Sequence, residues 1–239
     1  MVYVFCDYRI PERMREELKK RGFHPLPVSG DGMLSPAVCG HPDLLVARVG
    51  ETLVVEEEVA RRYPALSRCD GVRVSLERAS AVYPNEAKFC VKAVGNTLYH
   101  GKAVAEDIRL VAEAEGYSLR EVRQGYVACN LLVVDEGHIV TSDPSIEKAL
   151  SSRGVEVLKI REGFVTLPPY PHGFIGGASG VYGDTVYFLG DVMSHPDGKK
   201  IEEFIRGCGM RAVCLSDGEL FDGGGLVFWQ TALTIEEDA

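Results

Sequence analysis

One unit of strand, helix, strand and strand recurs five times along this chain, and no other feature narrows its fold as much. Each copy opens on a short β-rich run: Val2-Tyr3-Val4-Phe5, Thr52-Leu53-Val54-Val55, Thr97-Leu98-Tyr99-His100, His138-Ile139-Val140-Thr141 and Thr185-Val186-Tyr187-Phe188. Polar residues follow each run directly: Asp7, Glu57, Lys102, Asp143 and Asp191. An apolar stripe of helical period comes next, as in Ile10, Met14 and Leu18 or Ile201, Phe204 and Ile205. Pro11 and Pro144 suit a first helical turn, where a missing N–H is harmless. The second helix, from Glu56 to Arg62, is the shortest. Every stripe stops at a glycine that leads into an alternating strand, at Gly22, Gly71, Gly116, Gly154 and Gly209. A third strand ends each copy. Four read as octapeptides closing on glycine, DLLVARVG (43–50), KFCVKAVG (88–95), NLLVVDEG (130–137) and GFIGGASG (173–180), and the fifth reads GGGLVFWQ (223–230).

A unit of about 40–50 residues cannot bury both faces of its own sheet, so its neighbours must cover it. A linear stack would carry polar end caps, whereas the first and last copies here are as apolar as the middle ones. The units are therefore expected to close into a ring, a single domain over 1–239. Its five stretches fall near 1–50, 51–95, 96–137, 138–183 and 184–232, with an acidic tail at 233–239 expected to fray. Two Pro- and Tyr-bearing insertions, 77–87 and 161–172, interrupt the rhythm as candidate binding loops or as plain surface connections.

Composition removes several classes of function. A formal charge of -9 argues against a nucleic-acid surface, and Lys and Arg mostly share helix faces with Glu. No run approaches the roughly 20 apolar residues of a membrane span, and the first residues lack a signal-peptide pattern. The 7 cysteines stand singly among apolar neighbours, as in a cytoplasmic protein with buried thiols. No C-x-x-C pair suggests zinc, and His41, His172 and His195 show no ligand spacing. Neither a metal nor another cofactor is expected.

The pattern resembles the pentein or guanidino-group-modifying fold, a five-bladed α/β propeller of ββαβ-type repeats. Arginine deiminases, dimethylarginine hydrolases and amidinotransferases share it, as does the non-enzymatic translation initiation factor six. The set His41-Pro42-Asp43, Tyr83-Pro84, Gln124-Gly125-Tyr126-x-x-Cys129, Ser142-Asp143, GFIGGASG and His195-Pro196 is similar to a bacterial family of that fold without an assigned activity. The resemblance covers essentially the whole chain. It implies a polar channel on the ring axis. It also implies a nucleophilic Cys in the last blade, where this chain has Phe228 after Gly223-Gly224-Gly225-Leu226-Val227.

Candidates for the channel follow each first strand or precede each third one. The first group is Asp7, Glu57, Lys102, Asp143 and Asp191; the second is His41, Asp43, Asn85, Lys88, Cys129, Asn130, His172 and Asp222. His41 and Asp43 can act as a base and its orienter, or Pro42 and Asp43 can simply start a strand and cap a turn. Cys129 is the first choice of nucleophile, a buried structural thiol being the plainer reading. Gly176, Gly177 and Ser179 can bring backbone N–H groups to an anion, or can pack tightly about the axis. Asp7, Asp143, Asp191 and Asp222 can clamp a guanidinium or serve as caps. Two functions stand side by side: an enzyme of the guanidino-modifying class acting on a small amidino- or amino- and carboxylate-bearing ligand, or a non-catalytic assembly factor. Ribosome binding is expected only under the second; another copy of the chain is an admissible partner under both.

Overall fold

The computed structural model describes residues 1–30 and 32–236. The last three residues of the acidic tail lie outside them. The described chain forms β1 (Val2–Asp7), α1 (Glu12–Lys20) and β2 (Phe23–Val28). It continues with β3 (Val46–Val49), β4 (Thr52–Val55), α2 (Glu57–Arg62) and β5 (Val72–Val74). The third group is β6 (Lys92–Val94), β7 (Thr97–His100), α3 (Glu106–Ala114) and β8 (Ser118–Glu121). The single turn α4 (Val127–Asn130) then leads to β9 (Leu132–Asp135), β10 (His138–Thr141), α5 (Pro144–Ser151) and β11 (Glu156–Lys159). The last group is β12 (Ser179–Tyr182), β13 (Thr185–Phe188), α6 (Gly198–Gly207), β14 (Arg211–Cys214) and β15 (Val227–Gln230).

The strands make five three-stranded sheets: β15-β1-β2, β3-β4-β5, β6-β7-β8, β9-β10-β11 and β12-β13-β14. In each, the central strand is antiparallel to one neighbour and parallel to the strand that follows its helix. The sheets are out of phase with the five sequence stretches by one strand. A tight turn at Gly50-Glu51 joins β3 to β4 as a hairpin, so the last strand of one stretch belongs to the next sheet. At the seam β15 supplies the missing partner of β1, with Tyr3 opposite Trp229 and Val4 opposite Phe228. GFIGGASG departs from the strand expected over 173–180: only Ser179 and Gly180 belong to β12. Matching octapeptides on their final glycine misplaced it, because this copy turns tightly before it extends.

Helix sites follow from local chemistry. Met14 and Leu18 are buried on α1 while its Glu, Lys and Arg residues face water. Pro144 opens α5 with Asp143 as N-cap, whereas Pro11 stands just before α1 at the cap itself. The glycines after the five longer helical segments all have φ between 74° and 82°. That left-handed conformation is what a helix C-terminus needs and what a Cβ disfavours.

Five apolar cores fill the five gaps between sheets. Tyr3, Phe5, Leu53, Val55 and Val59 join the first sheet to the second. Ala47, Val54, Leu98 and Ile108 join second to third, and Tyr99, Ile139, Ile146 and Leu150 third to fourth. Val140, Val186, Phe188 and Ile205 join fourth to fifth. Val4, Met14, Tyr187, Leu189 and Phe228 return from the fifth sheet to the first. Each sheet is thereby covered on both faces, which a half-apolar module achieves only in a closed ring. The strands β3, β6, β9, β12 and β15, one per sheet, line an axial cavity of about 460 Å³.

Candidate functional site

The five connections into the axial strands converge at one end of this channel. They leave a second cavity of about 280 Å³ lined by His41, Glu86, Tyr126, Cys129, His172 and Asp222, with Leu44, Leu167, Tyr170 and Phe174 among its apolar walls. Each connection contributes because it must cross from the outer edge of a blade to the axis, and its last residues end there. Insertion 161–172 brings Leu167, Tyr170, Pro171 and His172; insertion 77–87 brings Glu86.

The chemistry is concentrated in one buried cluster. A ring nitrogen of His41, a carboxylate oxygen of Asp43 and the Cys129 sulfur all lie within 4.8 Å of one another. Cys129 Sγ donates to Asp43 Oδ2 at 2.8 Å and lies 3.8 Å from Cys90 Sγ. His41 Nδ1 stands 3.8 Å from Asp222 Oδ1. Asp222 is held by the N–H groups of Gly224 and Phe174, at 3.0 and 2.9 Å. Among the described residues, His41 Nε2 and Asp43 Oδ1 are buried without a hydrogen-bond partner. Each such orphan costs about 1–3 kcal/mol unless something fills the place. Cys129, His41 and Asp222 face the smaller cavity, and Asp43 faces the axial one with Lys92.

Burial dominates the electrostatics. It pushes the Asp43 carboxyl well above the usual carboxylate range, reinforced by Asp222 and opposed by the Cys129 hydrogen bond and Lys92. Asp222 is raised by burial too, against the pull of His41. The Cys129 thiol is raised by its contact with Cys90, by burial and by Asp43. Burial lowers the Lys92 ammonium, although Asp43 works the other way. An Asp that keeps its proton to higher pH when folded makes the folded state bind more protons. Stability therefore falls as pH rises from the unfolded value of ~3.9 through the folded one. Asp43→Asn is expected to raise the urea midpoint at pH 8, with the gain shrinking towards pH 4. A variant less stable than the parent at pH 8 would contradict this.

Polar residues that follow the central strands play other parts. Asp143 accepts from the N–H groups of Ser145 and Ile146 and caps α5, and Asp191 accepts from Met193 N. Glu57 and Lys102 are exposed. Asp7 is buried and ion-paired with Arg9 at 2.6 Å. Caps arise there because the chain turns into a helix directly after the strand. Asn130 is buried and donates to Tyr126 O at 3.1 Å. His172 borders the smaller cavity, 3.3 Å from Glu162.

Gly177 N donates to Cys129 O, so that N–H is not free for an anion. A Cβ on Gly177 would overlap Asp222 Oδ1, and one on Gly176 would overlap the backbone of α4. Gly176 and the buried Ser179 border the axial cavity, with Ser179 Oγ donating to Ile175 O at 2.8 Å. Phe228 packs edge-on to Phe23, with ring centroids 5.0 Å apart. The last blade instead sends Asp222 to the cluster.

Glu86, Cys90 and Lys92 were not foreseen as site residues. Glu86 accepts from Tyr126 Oη at 2.5 Å and Ser35 Oγ at 3.1 Å. Cys90 and Lys92 look like ordinary members of a buried strand, and their sequence neighbours carry no signal. His41, Asp43 and Cys129, grouped in the sequence by their place before axial strands, meet in one cluster. A half-exposed trio, Asp135, His138 and Cys208, lies elsewhere, with His138 Nδ1 2.8 Å from Asp135.

Comparison with solved structures places the fold among the penteins. A DDAH from Pseudomonas aeruginosa complexed with citrulline matches with TM-score 0.55 and 12% identity, over 90% of this chain and 91% of that one. The inosamine-phosphate amidinotransferase of Streptomyces griseus matches with TM-score 0.52 and 12% identity, over 94% and 80%. An agmatine deiminase of C. jejuni matches with TM-score 0.51 and 6% identity, over 90% and 87%. No curated protein matches the sequence. Among the described residues no helix is long and apolar enough to cross a membrane. The Family of unknown function (DUF6873) matches residues 5–227, nearly the full length of the chain, and the chain belongs to that family.

Proposed function

We propose that the smaller cavity binds a small cationic amidine or guanidine and that Cys129 attacks its central carbon. One observation carries this reading: the Cys129 thiol, the His41 imidazole and the Asp222 carboxylate meet at the wall of a cavity otherwise lined by aromatic and aliphatic side chains, with the buried Asp43 carboxylate against the thiol. Tyr126, Tyr170 and Phe174 supply aromatic rings for a planar cation, and Asp222 and Glu86 supply carboxylates. A bound cation favours the charged form of every acid near it. It would draw the Cys129 thiol back down, and Asp43 and His41 are the groups placed to take its proton. The neighbours in fold, among them an amidinotransferase and an agmatine deiminase, support the same substrate class. The C–S bond would form as a C–N bond breaks, the departing ammonia or amine taking up the thiol's proton. Water or an acceptor amine would then free the carbon from sulfur, giving hydrolysis or amidino transfer.

The test has two arms. Chloroacetamidine, an amidinium-bearing alkylating agent, should modify Cys129 about tenfold faster than any other cysteine, located by peptide mass mapping. Agmatine, arginine and methylated arginines should be screened for a rise in Tm. A ligand at 100 times its Kd stabilises by about 2.7 kcal/mol, or about 5 °C and upward at this size. Uniform slow alkylation together with no shift from any of these cations would end the proposal.

A further inference from the structure

We infer that His41, Asp43 and Cys129 form a three-ligand site for Zn²⁺, with the fourth coordination position open to the 280 Å³ cavity. The donor set is one imidazole nitrogen, one carboxylate oxygen and one sulfur, the mixture that a borderline-soft, four-coordinate ion takes. Two independent observations point to a missing partner. His41 Nε2 is buried and accepts or donates nothing, and Asp43 Oδ1 is buried with no donor. Their residues are only 1% and 5% exposed, so solvent outside the cavity does not satisfy them.

The surroundings resemble a supporting shell. Asp222 approaches His41 Nδ1 on the side away from Nε2, and the N–H groups of Phe174 and Gly224 fix that carboxylate. Carboxylates in this position commonly orient metal-bound histidines. Asp43, Cys129 and Asp222 are three acids in one buried cluster, with Lys92 the cation that acts on Asp43. Zn²⁺ would replace the thiol proton now shared between Cys129 and Asp43: the S–H bond breaks, a Zn–S bond forms, and the proton leaves to solvent. The ion needs no redox partner. This site stands on its own donors and does not depend on the amidine reading. It competes with it for the same sulfur.

The chain, stripped with a chelator, is titrated with Zn²⁺ alone against a chromophoric competitor, and in parallel with Co²⁺. One equivalent of Zn²⁺ should bind, Co²⁺ should show thiolate-to-metal charge-transfer absorption, and bound Zn²⁺ should slow iodoacetamide modification of Cys129 at least tenfold. Cys129→Ser should weaken binding by more than tenfold and remove the charge-transfer band. Asp222→Asn should weaken it by about 10–100-fold. Cys208→Ser, at the half-exposed trio, should change neither. The Co²⁺ spectrum and the protection are read on the unaltered chain, so a variant that fails to fold does not decide the matter. No stoichiometric binding to the unaltered chain, or binding lost in Cys208→Ser and kept in Cys129→Ser, would overturn the metal site and leave the amidine reading standing. Tight zinc binding with a metal-free Cys129 inert to chloroacetamidine would do the reverse.

Discussion

Gly224→Ala is expected to lose about 2–5 kcal/mol of stability, a fall in Tm of about 5–15 °C for a chain of this size. Two effects add. Gly224 has φ of 69°, where a side chain costs about 1–2 kcal/mol. Its Cβ would also overlap Cα and Cβ of His41, and forced overpacking of this sort costs about 1–3 kcal/mol. Gly22→Ala separates the two. Gly22 has φ of 82° but nothing within 4 Å of an added Cβ, so that variant should lose only the conformational part. Urea midpoints for the pair give the comparison. Equal losses would mean that the close approach at His41 carries no energy.

Phe228→Ala is expected to cost about 3–5 kcal/mol, the usual range for deleting a buried aromatic ring. Phe228 is 3% exposed and lies opposite Val4 across the pair that closes the ring. Its ring meets Phe23, Tyr182 and Tyr187, with centroids 5.0–5.6 Å away. Truncation removes these contacts and leaves a void in the core between the fifth sheet and the first. Met14→Ala, in the same core but on α1, serves as a reference expected at about 2–5 kcal/mol. If closure is as cooperative as five shared cores imply, each variant still unfolds in one transition. A separate early transition in Phe228→Ala would show instead that the seam opens independently.

Much of the fold was legible because its rules are local. Helical stripes, the glycines that stop them and the alternation of the following strands depend on neighbours a few residues apart. Closure followed from the absence of polar end caps. The phase of the sheets was harder. A third strand looks the same whether it pairs with the strand before it or the strand after it, and only hydrogen bonding across Gly50-Glu51 decides. The candidate site was half legible. Position before an axial strand pointed to His41, Asp43, Cys129, His172 and Asp222. Position after a central strand pointed to Asp143 and Asp191, which cap helical turns instead. Asp suits both duties, so residue type could not separate them. Glu86 and Lys92 became visible only when three-dimensional neighbours replaced sequence neighbours.

The hub has a consequence for how chemistry could vary on this scaffold. Its side chains arrive singly on separate spokes: His41 and Asp43 on one, Glu86, Cys129, His172 and Asp222 on four others. None of these spokes carries the hydrogen bonds that hold a sheet together. The lining of the candidate site can therefore be altered by exchanging one spoke tip while the rim keeps its geometry. The converse also holds: no fragment short of the full wheel contains the whole candidate site, because cutting out any sector removes one of its parts.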